Sequence, residues 1–356
     1  MTMPSHVTKS RVRNRVRATR FIDLKARTVA IDDRAKRLVH EVCTLAGKPN
    51  LIADVRRDLG RQGILEAVRR HDTAALFDWM TRGVAYQGIS DYVAHTYMEQ
   101  HGTVTWDQIE ASLTSPPRCR KLTSYWAFHR CGYNKSPFAG NEPKNINTCP
   151  LPLPTLRNGR LNQTAFSLYL FMRDVADRDF VKWLDATIGS AQVETGDLDA
   201  TRETLLSRLQ HLFGLSNKML TMILSDLLIG AARGRKHWLE IGAGMIVVDT
   251  LVHNFLHRTG ILRRHGALHL YGPHCYAANG CANVIRRIAN EIDARDFNNA
   301  LPSTFPRFVQ HAIWQFCAQQ GLDICNGNRI RDSDRCRNSW CPVSFDCSRT
   351  ALKMTS

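Results

Sequence analysis

The chain has 356 residues, 44% of them hydrophobic, enough for one large core or two modest ones and too many for a disordered polyelectrolyte. Its 48 Lys and Arg against 32 Asp and Glu leave a net charge of +16, which points to a polyanion partner, nucleic acid before membrane, because no apolar run approaches the ~20 residues of a span. Eleven cysteines without an apolar N-terminal leader disfavour a disulfide framework and direct attention to metal or iron–sulfur ligation.

Residues 1–30 read as a basic arm. Arg11, Arg13, Arg15, Arg17 and Arg20 occur there with no acid among the first 20 residues, a pattern that suits either an organelle transit peptide or an arm lying along phosphates. From Asp32 to about Asp91 the periodicity is helical. Leu38, Val39, Val42 and Leu45 recur at three- and four-residue steps, Ile64, Leu65, Val68, Ala74, Leu76 and Met80 more loosely, with Gly60, Gly63 and Gly83 as punctuation. A further amphipathic helix is expected to begin near Ser90, after the segment Tyr86-Gln87-Gly88-Ile89-Ser90. The chain then turns at 102–106 into a helix over 107–113.

Residues 115–165 change character. Seven prolines between Pro116 and Pro154 break regular structure, and Cys119, Cys131 and Cys149 fall among them. With His129 these could hold a second metal, but the spacing matches no tight ligand pattern, and buried structural cysteines are the alternative. Helix resumes near Asn162. Leu205, Leu206, Leu209, Leu212 and Leu215 line one side of the next segment, and residues 219–229 are apolar nearly all round, as in a buried helix. Residues 231–246, with Arg233, Arg235, Lys236 and several glycines, read as a loop or a loop plus a short turn. Asp249 is placed to cap a helix. Residues 258–303 read as mostly helical with a break at Gly272-Pro273, 305–321 as a helix with Phe308, Ile313, Trp314 and Phe316 on its apolar side, and 325–347 as a cysteine loop. No segment reads as a strand. Cys275 and Cys281 flank a turn and receive no assignment.

Three stretches carry chemistry. Leu212-Phe213-Gly214-Leu215-Ser216-Asn217-Lys218 sits between two helical segments, where a Gly can supply φ > 0 and the amides opening the second helix can bind a phosphate. This turn resembles the helix-hairpin-helix turn of the endonuclease III branch of DNA glycosylases, with Phe213 in place of Pro and Ser216 in place of the second Gly. Val248-Asp249-Thr250-Leu251-Val252 resembles that family's Val-Asp-Thr-His-Val. The tail Cys325-x10-Cys336-x4-Cys341-x5-Cys347 resembles the family's Cys-x6-Cys-x2-Cys-x5-Cys loop, with only the last gap matching. From Lys218 to Asp249 is a step of 31 positions, a longer spacing than the family's, so residues 231–246 would be an insertion and a candidate lesion-reading loop.

The resemblance implies an all-α protein of two helical domains, 31–74 with 231–356 and 75–230, holding a flipped nucleotide between them. It implies Asp249 as the catalytic carboxylate, Lys218 as a Schiff-base nucleophile in a bifunctional glycosylase and AP lyase, and Gln87 as the wedge entering the duplex or as part of the base pocket. Gly214, Leu215, Ser216 and Asn217 would contact DNA. Cys325, Cys336, Cys341 and Cys347 would hold a [4Fe–4S] cluster, with tetrahedral zinc as the alternative. The partner would be double-stranded DNA, bound by a monomer. Bland readings stand beside these: Asp249 as a plain N-cap, Lys218 as a phosphate-contacting lysine, Gln87 on an ordinary capped turn. The whole could be a non-catalytic DNA-binding module with a structural metal.

Overall fold

The computed structural model describes residues 32–89, 91–114, 120–129, 161–325 and 329–353, all within one compact unit, Ile31–Ser356. The basic arm, Ser90, Cys119, Cys131 and Cys149 lie outside the described residues. Among those described, every regular element is helical, as the periodicity predicts.

Helix α1 (Asp33–Ala46) starts where the Asp32 side chain accepts from the Arg34 amide, and it buries Leu38, Val39 and Val42. Leu45, expected on that face, is exposed. Helices α2 (Leu51–Arg61) and α3 (Ile64–Arg70) meet at Gly63, whose φ of 75° makes the turn. Then follow α4 (Thr73–Ala85), α5 (Asp91–His101), α6 (Trp106–Thr114) and α7 (Tyr125–His129). Helix α8 (Asn162–Leu170) runs into one π turn, Phe171–Val175. Asp179 and Asp197 cap α9 (Phe180–Thr195) and α10 (Leu198–Leu209). Helix α11 (Asn217–Gly230) is buried along most of its length, as its composition predicts.

Residues 231–246 depart from the loop expectation. They contain α12 (Lys236–Ala243), whose Trp238 and Ile241 are buried against α11. Two aromatic and aliphatic anchors outweigh the glycines, and a Cβ at Gly242 would crowd Ile229 and Leu228, so the glycine permits the close packing. Trp238 and Ile241 belong to the core, which corrects the reading of this segment as a loop. Residues 258–303 are less helical than expected. After α13 (Thr250–Arg258) and the single turn α14 (Ile261–Arg264), residues 267–280 are irregular apart from a 3₁₀ turn, Pro273–Tyr276, before α15 (Cys281–Ala289). Helix α16 (Pro306–Cys317) is the last, and the cysteine loop is built of turns.

Two hydrophobic cores result. The first gathers Phe77, Trp106, Phe166, Tyr169, Phe180, Leu224 and Trp238; the second gathers Val39, Phe255, Leu256, Ile285, Phe308 and Phe316. The first reaches back to Leu59 and Ile64 and forward to Met245, beyond the 75–230 segment assigned from the sequence. Helix α11 serves both, with Leu228 in one and Ile229 in the other. Asp226 on α11 and Arg307 on α16 pair at 3.3 Å across the join, and burial pushes the Asp226 carboxyl up despite that partner.

Candidate functional site

The turn between α10 and α11 is shaped by its own residues. Gly214 has φ of +71°, the left-handed conformation its match to the turn glycine requires, and a Cβ there would lie 2.8 Å from Thr164 Oγ1. Ser216 has φ of −77° and ψ of 149°, ordinary extended backbone, so replacing a glycine at this position strains nothing. Its hydroxyl caps α11 by accepting from the Met219 amide. Phe213 is fastened from behind, its amide donating to Ser167 Oγ at 3.0 Å. The amides of Asn217 and Lys218 open the helix, where backbone N–H groups have no intrahelical acceptor.

Gln87 takes a role the sequence did not reveal. Its Nε2 donates to the Gly214 carbonyl at 2.6 Å, and its Oε1 accepts from the Ser216 amide at 2.9 Å. One side-chain amide thus clamps both strands of the turn from the loop after α4. Here the side chain is engaged with the hairpin.

Asp249 caps α13, its Oδ1 accepting from the Val252 amide at 2.9 Å. Burial raises its carboxyl above the usual carboxylate range. The Val252 amide, the Lys218 charge, the Leu251 amide and the Trp314 indole all act the other way, and burial wins. Lys218 is therefore near enough for its charge to favour the Asp249 carboxylate, although the two belong to different helices. Lys218 itself is half-buried. A cleft of about 450 Å³ between α1 and the tail, lined by Lys36, Arg37, His40 and Phe345, lies elsewhere.

The tail loop attaches to the far end of α13. Arg258 is 1% exposed, and its guanidinium donates to the carbonyls of Asp334, Ile330 and Arg331 at 2.9, 3.0 and 3.3 Å. The Thr350 amide and hydroxyl return to the Arg258 and His257 carbonyls. Arg34 on α1 holds the Asp346 carbonyl at 2.8 Å. Within the loop, a hydrogen bond from Cys317 and the Arg258 charge pull the Cys325 thiol down. Burial pushes Cys341 up to about 11, with the charges of Cys325, Cys347 and Cys336 adding to it. Among the described residues, these four thiols are not part of the group whose ligand atoms lie within 4.8 Å of one another. Two of the loop's arginines are engaged internally, Arg329 with Asp323 and Arg335 with the Ser348 and Arg349 carbonyls.

A second group was not expected. Among the described residues, His253, His269, Cys275 and Cys281 bring four ligand atoms within 4.8 Å of one another and could hold a metal. His253 lies one turn after Asp249 on α13. Cys281 opens α15 and Cys275 sits in the 3₁₀ turn, both fully buried. Gly280 permits the approach: a Cβ there would lie 2.2 Å from the His274 carbonyl oxygen and 2.6 Å from that of Cys275. A hydrogen bond from Cys281 pulls the Cys275 thiol toward thiolate, and His253 adds to it. The signal in sequence was His253-x15-His269-x5-Cys275-x5-Cys281, in which no two ligands form a tight pair.

No family model, curated protein or solved structure matches this chain. The likeness to the endonuclease III branch therefore rests on the turn, the Asp249 segment and the tail spacing.

Proposed function

We propose that this protein is a DNA glycosylase that extrudes a damaged or modified base from duplex DNA and releases it with Asp249. The observation that carries the reading is the hairpin turn, with Gly214 at φ +71° and Gln87 holding the Gly214 carbonyl and the Ser216 amide; the charge of Lys218 also acts on the Asp249 carboxyl. Basic residues and the amides opening α11 bind the phosphate backbone. The target nucleotide leaves the stack to reach the carboxylate.

As the N-glycosidic bond breaks, its electron pair departs with the base and positive charge develops at C1′. The ionised Asp249 stabilises that charge at close range in a poorly solvated place. A water oxygen then bonds C1′ and passes its proton to Asp249, whose raised carboxyl is suited to hold it. In the bifunctional variant of this reading the Lys218 amine takes the place of water, forming a Schiff base, and elimination nicks the strand.

Cys325, Cys336, Cys341 and Cys347 are the residues that would hold a [4Fe–4S] cluster. Four cysteines in one short segment, beside a buried arginine, are a suitable donor set by residue type. The group would supply structural cross-linking of the tail. The chemical step above involves only Asp249, Lys218 and water.

The test is base release from a panel of duplexes carrying oxidised, deaminated, mismatched or alkylated bases. Wild type should release at least one, and Asp249→Asn should bind the same duplex with turnover reduced by about 10²–10³-fold or more. Binding without release from any duplex would leave a non-catalytic DNA-binding module. An iron count of about four and a brown protein support the tail assignment; an iron-free protein removes it.

A further inference from the structure

The group on α13 offers an arrangement independent of base release. His253 Nδ1 lies 3.3 Å from Cys281 Sγ and 3.6 Å from Cys275 Sγ, and His269 Nε2 lies 3.3 Å from Cys281 Sγ. A tetrahedral zinc with bonds of ~2.3 Å to sulfur and ~2.0 Å to nitrogen sets its N···S separations at about 3.6 Å. The other nitrogen of His269 is already committed: Nδ1 meets the Ala267 carbonyl at 2.6 Å, so it carries the proton and Nε2 is left as the lone-pair donor. No carboxylate belongs to the group, and a two-imidazole, two-thiol set selects a borderline-soft ion over magnesium or calcium.

We propose that His253, His269, Cys275 and Cys281 bind one zinc(II) ion in a closed, tetrahedral site that staples residues 267–281 onto α13. Binding releases two thiol protons to solvent and leaves a site of zero net charge, which suits a location where both sulfurs are fully buried. With all four positions taken by protein, the ion has no open coordination for a substrate, so its role is positional. The stapled segment touches the chain on either side of Asp249. Tyr276, next to Cys275, accepts from the Val248 amide at 3.1 Å, and the Tyr271 ring packs on His253 with centroids 5.7 Å apart. The same segment exposes Leu268, Leu270 and Tyr271 beside the site.

The experiment is a zinc count and zinc K-edge absorption spectrum on the full-length wild-type protein, purified under reducing conditions. One zinc per chain with a first shell of two sulfurs and two nitrogens is the expected result. A folded, zinc-free protein overturns the proposal; so does a shell of four sulfurs, which would place the ion in the tail, and so does a Cys275–Cys281 disulfide found by mass spectrometry. Cobalt(II) exchange supplies the variant test: wild type should show the visible bands of tetrahedral cobalt thiolate, and Cys281→Ser should lose most of their intensity. Unchanged bands in that variant overturn the assignment. Should Cys281→Ser fail to fold, the wild-type spectrum still decides.

Discussion

The tail loop and the His253 group meet the same helix at opposite ends, yet they are built differently. The tail has four thiols, all only partly buried, held from outside by Arg258, Thr350 and Arg34. The His253 group has its ligands drawn within 4.8 Å, on two helices, a 3₁₀ turn and an irregular stretch, with glycine admitting the closest approach. The tail is conspicuous in sequence because its cysteines cluster. The other group is inconspicuous because its convergence is made by the fold. Ligand spacing along a chain and ligand convergence in space are separate properties, and the second decides which ion a site suits.

Perturbations at each end of α13 sharpen the contrast. The largest effect is expected from Arg258→Ala. Three carbonyls of the tail lose their donor, and removing a buried charged partner should cost about 3–5 kcal/mol in denaturant unfolding. A loss under about 1 kcal/mol would mean the tail is held mainly by other contacts. Gly280→Ala addresses the opposite end. Its Cβ would meet backbone atoms, which cannot swing aside, so a loss of about 1–3 kcal/mol is expected together with weaker cobalt uptake. Iron content should stay unchanged, and a parallel loss of iron would show that the two regions do not act separately. Tyr276→Phe removes only the hydroxyl against Val248, about 1 kcal/mol in stability, and should lower base release while leaving duplex affinity unchanged. Equal falls in both would break the link from this segment to Asp249.

The subtlest effect concerns pH. Burial raises Asp249 above the ordinary carboxylate value, so the acid limb of base release should lie above that of an exposed aspartate. Lys218 favours the ionised form, so Lys218→Gln should move the limb to higher pH. The stability sign is opposite to that of a salt-bridged carboxylate. In the window between the unfolded and folded values the folded chain keeps a proton that the unfolded chain has lost, so stability falls as pH rises through it. In Asp249→Asn that loss should vanish from the stability profile measured against pH. An unshifted limb in Lys218→Gln would separate the lysine from the carboxylate.

Local chemistry was legible and long-range chemistry was not. Gly214 at positive φ and Asp249 as a cap follow from rules that act over a few residues. Residues 231–246 misled because glycine density argues for a loop, whereas Trp238 could show its burial only once α11 was beside it. The Gln87 contacts span 127 and 129 residues, and nothing near position 87 announces them. His253 and Cys281 likewise become neighbours only once α13 and α15 both pack on α16.

The Gln87 clamp has a consequence for how the molecule ages. Its amide is used in one orientation only, nitrogen toward the Gly214 carbonyl and oxygen toward the Ser216 amide. Hydrolytic deamidation would exchange that nitrogen for oxygen, a change of one atom with almost no change of shape. The new carboxylate could still accept from Ser216, but it would face the Gly214 oxygen with no proton to share. A spontaneous lesion in the protein itself would then loosen the hairpin turn, without any substitution in the gene.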